Sequence, residues 1–225
     1  MIKVSDPRLY DLLARVYDVG QKYGLYLLGT LGSYTYAEFA RKIVEAGALR
    51  DGAEILDAGC GTGYLFPAFA AKLGPSGSIT GVDFSRGQLE RARARVRRLP
   101  GTPVQLHLAR IEDLESVFPV DAFDAVYCAA VLPTLPNIPE ALRQMTRVLR
   151  RGGSLVIWTV SAEALAHARF ARYWKWAIHR YHLQYPFQPE LERLVVAAGC
   201  DALSSEIIGS SLIIVARKSL SAASM

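Results

Sequence analysis

The residues with the strongest claim to chemistry stand together in EILDAGCGTGYLF, positions 54 to 66, where Asp57 precedes Gly59, Gly61 and Gly63. A glycine weakens the interior of a strand or helix by about 0.5–1 kcal/mol relative to alanine, so glycines at alternate positions after an apolar run mark a turn that a ligand approaches closely. The spacing excludes two phosphate-binding loops. A dinucleotide loop wants its third glycine three positions after the second, where this chain has Tyr64, and no Gly-Lys-Ser/Thr follows for a P-loop. Asp57 would repel a pyrophosphate and suits an ammonium or sulfonium group.

A second acid, Asp83, closes the apolar run GSITGVDF. At the end of a second strand, such an acid accepts ribose hydroxyls in charge-assisted bonds of about 1.5–3 kcal/mol each. A positively charged adenosine without phosphates satisfies both acids. S-adenosylmethionine fits that description, with S-adenosylhomocysteine as its product.

Proton transfer would fall to a histidine or a tyrosine. His179 and His182 are three apart, on one face of a helix with Tyr173 and Trp176, and either serves as a base if that face turns towards the ligand. The alternative is that both are surface or packing residues. The surrounding FARYWKWAIHRYHLQYPF has three readings: a lid over an apolar substrate, an amphipathic helix lying on a membrane, or a helix packed on a sheet. Tyr10, Tyr17 and Tyr23 are further candidates for the lid.

The elements that must position these groups are legible from Ala53 onward. Runs such as AEILDA, GSITGVDF, PVQLHLA, FDAVYCAA and GSLVIWTV read as strands apolar on both faces. Helical segments, YLFPAFAAKL, RGQLERARARVRRL and PEALRQMTRVLRR, alternate with them. This is the pattern of a parallel sheet covered by helices on both sides. One more helix, LERLVVAAG, precedes two strands joined at Gly209 and Ser210, an expected antiparallel hairpin. The expected organisation is a helical extension or lid over 1–50, a cofactor-binding core over 51–160 and a helical insertion over 161–188. A helix and strand pair over 189–218 complete the core, and 219–225 form a tail.

The 225 residues are 51% hydrophobic and 21% charged, a globular balance. No apolar run is long enough to cross a membrane, and the charged start MIKVSDPRLYDLL does not read as a signal peptide. The expected location is cytoplasmic, with peripheral contact at the inner membrane face left open. Cys60, Cys128 and Cys200 lack metal-ligand spacing, so no metal is expected. A net charge of +5 favours anionic partners, yet helical spacing spreads the arginines of RARARVRRL around their helix.

ILDAGCGTG, ITGVDFS, FDAVYCAAVLPTL and RVLRRGGSLVI, in this order and spacing, resemble the class I S-adenosylmethionine-dependent methyltransferases. The likeness covers about residues 50 to 217 and is greatest to the branch holding the ubiquinone/menaquinone C-methylases and related small-molecule and lipid enzymes. The resemblance implies a Rossmann-like seven-stranded α/β sheet, mostly parallel with one antiparallel strand. It also implies direct in-line methyl transfer to a small apolar or aromatic acceptor: quinone-, lipid- or phenol-like. It places Gly59, Cys60 and Gly61 at the methionine moiety, with Gly63 in the same loop and Asp57 near the amino group. Asp83 holds the ribose, Phe84 lies against the adenine, and Cys128 and Ala129 wall the transferable methyl. Tyr17 matches the family's N-terminal Tyr-Asp element. Two residues depart from the pattern: Arg110 stands where the family has an acid for the adenine amine, leaving the Ile111 amide or Glu112 to meet the ring, and Gln88 replaces a frequent methionine. A nucleic-acid methyltransferase and a non-catalytic cofactor-binding regulator are the alternatives. The oligomeric state is left open.

Overall fold

A computed structural model describes residues 6, 8, 10, 11, 34–99, 101–167, 179 and 183–220. The elements within them are α1 (Tyr36–Ala46), β1 (Glu54–Ala58), α2 (Phe66–Leu73), β2 (Ser78–Asp83), α3 (Arg86–Val96), β3 (Val104–Leu108), β4 (Phe123–Ala129), α4 (Ile138–Val148), β5 (Leu149–Val160), α5 (Ala162–His167), α6 (Gln188–Ala197), β6 (Cys200–Ile208) and β7 (Ser211–Lys218). Short 3-10 turns over Ile111–Ser116 and Leu132–Thr134 follow β3 and β4.

The strands form one sheet in the order β3-β2-β1-β4-β5-β7-β6. β7 runs antiparallel to both neighbours and the other pairings are parallel, as expected. The hairpin turns at Gly209 and Ser210, with Ile208 opposite Ser211. Chain order reverses between β1 and β4, which opens a crevice at the carboxyl ends of these strands where open α/β sheets take their ligands. The glycine turn after β1 lies at that crevice.

Alternation along the buried strands divides the core in two. Leu56, Val126 and Cys128 face a cluster with Leu142 and Met145 of α4 and Leu191 of α6. Ile55, Ala125 and Tyr127 face the opposite cluster, with Phe39 and Ile43 of α1 and Phe66 and Phe69 of α2. Helix starts follow their capping residues. Thr35 and Glu38 cap α1 reciprocally, while the Ser85 and Asn137 side chains accept the third amides of α3 and α4.

Three boundaries differ from the sequence reading. α2 begins at Phe66, not Tyr64, because Gly63 takes φ 72° and its amide closes a turn onto the Cys60 carbonyl. α4 ends at Val148; Leu149, Arg150 and Arg151 already belong to β5, where Leu149 pairs with Phe123 and Arg150 reaches Asp124 and Glu54. α6 starts at Gln188 with Pro189 in its first turn. Among the described residues no helix is long and apolar enough to cross a membrane, no cluster could hold a metal, and the three cysteines are free and buried.

Candidate functional site

The turn after β1 is shaped by backbone geometry that side chains would block. The Gly59 and Cys60 amides both donate to the Val82 carbonyl, at 2.8 and 2.9 Å, which ties the turn to the end of β2. Gly59 adopts φ 79°, and a Cβ there would lie 2.5 Å from the Val131 side chain. Gly61 differs: a Cβ would meet only the Gln88 side-chain oxygen, at 3.9 Å. This glycine therefore keeps a hollow open. Gly63 is a packing residue instead, since a Cβ would strike the Phe66 ring at 2.5 Å.

The hollow is a cleft open to solvent on one side. Asp57, Gly59, Cys60, Gly61, Phe84 and Gln88 line it, as do Asp83 and Ala129. A smaller hollow shares Gly59, Asp83 and Phe84 with it and is lined further on by Arg110, Ile111 and Glu112. Ten of the expected binding residues thus converge on adjoining hollows, although the ends of β1, β2, β3 and β4 and the first turn of α3 carry them separately.

Asp83 is held by its own loop. Its Oδ2 accepts the Gly61 amide at 2.9 Å and its Oδ1 the Ser85 amide at 2.8 Å. Burial, opposed by these amides, still raises its pKa to about 6. Asp57 is 2% exposed, and burial followed by the charge of Asp83 raises its pKa to about 8. Two buried carboxylates held up in this way favour a cationic ligand, whose charge would let both ionise.

Cys128 corrects the expectation. It is fully buried in the cluster on the other side of the sheet, so the wall at the end of β4 is made by Ala129, Ala130 and Val131. The physical reason is strand alternation, which sends the 128 side chain to the face opposite Tyr127 and Ala129. Ala130 takes φ 60°, a left-handed conformation that costs an alanine about 1–2 kcal/mol, and its amide donates to the Trp158 carbonyl at 2.8 Å.

Trp158, Tyr36 and Tyr64 line the hollow although the sequence reading singled out none of them, whereas Tyr10, expected in the lid, also lines it. Trp158 enters the hollow from β5, directly opposite Ala129. Tyr36 of α1 stacks on Tyr64 with centroids 3.8 Å apart. The Arg95 guanidinium sits 5.9 Å from the Tyr64 ring and donates to the Thr62 carbonyl and hydroxyl at 3.1 and 3.2 Å. Arg91, Arg93, Arg97 and Arg98 are exposed, so Arg95 alone of this run braces the turn. Tyr10 packs edge-on against Phe84 at 5.2 Å, and Arg110 lies 5.4 Å from the Phe84 ring. Asp11 accepts the Ser85 hydroxyl at 2.6 Å and the Gly87 amide at 2.8 Å, which holds this residue against the start of α3. A Cβ on Gly87 would approach the Asp11 backbone to 2.9 Å, so glycine permits that contact.

His179 is exposed and lines neither hollow; Tyr17 and His182 lie outside the described residues, as do Tyr173 and Trp176. His107, on the edge strand β3, packs against Phe118 at 5.0 Å.

A family model described as a methyltransferase domain matches residues 49–187. The chain belongs to this methyltransferase family. It is a class I S-adenosylmethionine-dependent enzyme, in the branch its motifs indicate. It is 32% identical over 197 residues to a demethylmenaquinone methyltransferase of Symbiobacterium thermophilum, covering 86% of this chain and 71% of that one. A phosphatidylethanolamine N-methyltransferase of Cereibacter sphaeroides is 31% identical over 121 residues, and the match spans 54% of this chain and 57% of the relative. The [4+2]-cyclase SpnF superposes with a TM-score of 0.74 over 98% of each chain at 19% identity, a likeness of fold alone.

The lining fits the cofactor. Gly61 leaves space where a side chain would intrude, the carboxylates suit a cation, and the buried Gln88 amide has no partner among the described residues.

Proposed function

We propose that this methyltransferase acts on an apolar, ring-bearing acceptor of the quinone or phenol kind. The observation that carries the reading is the aromatic wall beside the glycine turn, where Tyr10, Tyr36, Tyr64 and Trp158 line the same hollow as Asp57 and Asp83. Flat rings stack and pack edge-on against such a wall. The demethylmenaquinone methyltransferase relative supports this choice.

In this reading Asp83 takes the ribose, Asp57 the amino group, Gly59 to Gly61 the methionine chain and Phe84 one face of the adenine. The Ile111 amide and Glu112 meet the adenine edge in place of the family's acid. Bound S-adenosylmethionine supplies a methyl group already activated by its sulfonium. The protein's part is to hold the acceptor in line with that methyl and keep water out, an effect that supplies about 7–11 kcal/mol in favourable cases. Ala129, Ala130 and Trp158 form the dry side. Tyr10 is kept protonated: burial first of all pushes its pKa up to about 12, so its phenol serves as a hydrogen-bonding group and not as a base. His179 stands on the surface away from both hollows, so proton removal is proposed for His182 or Tyr17, which lie outside the described residues.

A lipid amine is the second reading, favoured by the phosphatidylethanolamine methyltransferase relative and by the affinity of aromatic faces for ammonium groups. Purified protein, labelled S-adenosylmethionine and either a demethylated quinone or phosphatidylethanolamine vesicles separate the two. Label extracted with the quinone supports the first reading, and label in the lipid alone replaces it with the second. Label in neither, with cofactor still bound, removes both acceptors. Flotation with anionic vesicles at low and high salt tests whether the protein makes peripheral contact with a membrane.

A further inference from the structure

Gln88 is 1% exposed, yet neither its side-chain oxygen nor its side-chain nitrogen has a hydrogen-bond partner among the described residues. An amide buried unpaired costs about 1–3 kcal/mol, and an apolar residue of the same length would avoid that cost. The backbone does not force the choice. Gln88 lies in the first turn of α3, its amide N–H satisfied by the Ser85 hydroxyl at 3.1 Å, and this position accepts any good helix former.

The side chain ends beside the feature most open to ligand. Its oxygen lies 3.9 Å from where a Gly61 Cβ would stand, and Gly61 in turn donates to Asp83. Asp83, Gly61 and Gln88 therefore frame one corner of the hollow. The carboxylate there only accepts hydrogen bonds, whereas the amide both donates and accepts. A hydroxyl that gives its proton to Asp83 still has lone pairs to receive a donor, and a vicinal diol presents two such hydroxyls.

We propose that Gln88 is a positioning residue for the cofactor's ribose, its side-chain amide hydrogen-bonding one of the two ribose hydroxyls beside Asp83. The proposal rests on the reading of this hollow as the S-adenosylmethionine site. It gives the chain a polar ribose contact that the methionine frequent at this position in the resembling family does not make.

The test is calorimetric titration of the full chain and of Gln88→Met with S-adenosylhomocysteine and its 2′-deoxy and 3′-deoxy analogues. Methionine has nearly the same length and removes an orphaned amide, so the unliganded variant should unfold at the same temperature or higher. The expected result is a three- to tenfold loss of affinity for S-adenosylhomocysteine that disappears with one of the deoxy analogues. The KM for S-adenosylmethionine should rise in step with kcat unchanged. Equal losses with all three ligands, or no loss, would overturn the proposal. If the unsubstituted protein binds none of the three, the cofactor site itself has been misplaced, a failure distinct from that of Gln88.

Discussion

Replacing Asp83 by alanine separates what this carboxylate does for the ligand from what it does for the fold. Each oxygen already accepts one backbone amide, from Gly61 and Ser85, which leaves a lone pair on each for a ribose hydroxyl. Two bonds to an ionised group, at about 1.5–3 kcal/mol each, total about 3–6 kcal/mol. At about 1.4 kcal/mol per decade, affinity should fall at least about 100-fold. With a pKa near 6 the group is already ionised at pH 7.5, so no deprotonation opposes binding there. For folding the effects oppose one another. Alanine strands two backbone amides, at about 1–3 kcal/mol, but removes a carboxylate whose pKa burial has lifted from 3.8 to about 6, equivalent to about 3 kcal/mol for the ionised form. A raised folded pKa contributes stability that is complete below about pH 4 and is lost as the pH rises through 6. The variant should therefore melt below the parent at pH 4.5, with the gap closing by pH 7.5. Titration with S-adenosylhomocysteine at pH 7.5 and thermal melts of the unliganded proteins from pH 4.5 to 8 measure both effects. A folded variant that loses less than threefold in affinity would refute the ribose contact, and a melting gap that widens with pH would refute the burial argument.

Affinity for the cationic cofactor should rise as the pH passes from about 6 to about 8, where Asp83 and then Asp57 ionise in the unliganded protein. Binding at pH 6.5 should release protons, seen as a dependence of the measured enthalpy on buffer ionisation heat; a flat profile would contradict the assignment. Tyr127→Phe removes the hydroxyl that donates to the Val44 carbonyl at 2.8 Å inside the core, while the Phe69 ring contact at 4.7 Å remains. The expected loss is about 1–2 kcal/mol, or roughly 2–8 °C in melting temperature, and unchanged melting would show that the bond between α1 and the sheet contributes nothing.

Local chemistry made much of this protein legible. The glycines at 59 and 61, the acids at 57 and 83 and the two-faced apolar strands each carry their meaning within a few residues, because positive φ, charge and alternation are local properties. Alternation also carried an unread signal: it puts Cys128 and Ala129 on opposite faces, and only Ala129 reaches the ligand side. Trp158 left no such trace, since its place depends on the pairing of β4 with β5, set by a bulge near Asp124. Tyr36, Tyr64 and Arg95 meet across three elements, and Asp11 finds Ser85 across 74 residues. The sequence by itself determined the sheet, its nucleoside-binding turn and the charge that turn prefers. Tertiary structure alone decided which aromatic rings line the hollow and that Gln88 is buried without a partner among the described residues, because both depend on what packing brings alongside from distant parts of the chain.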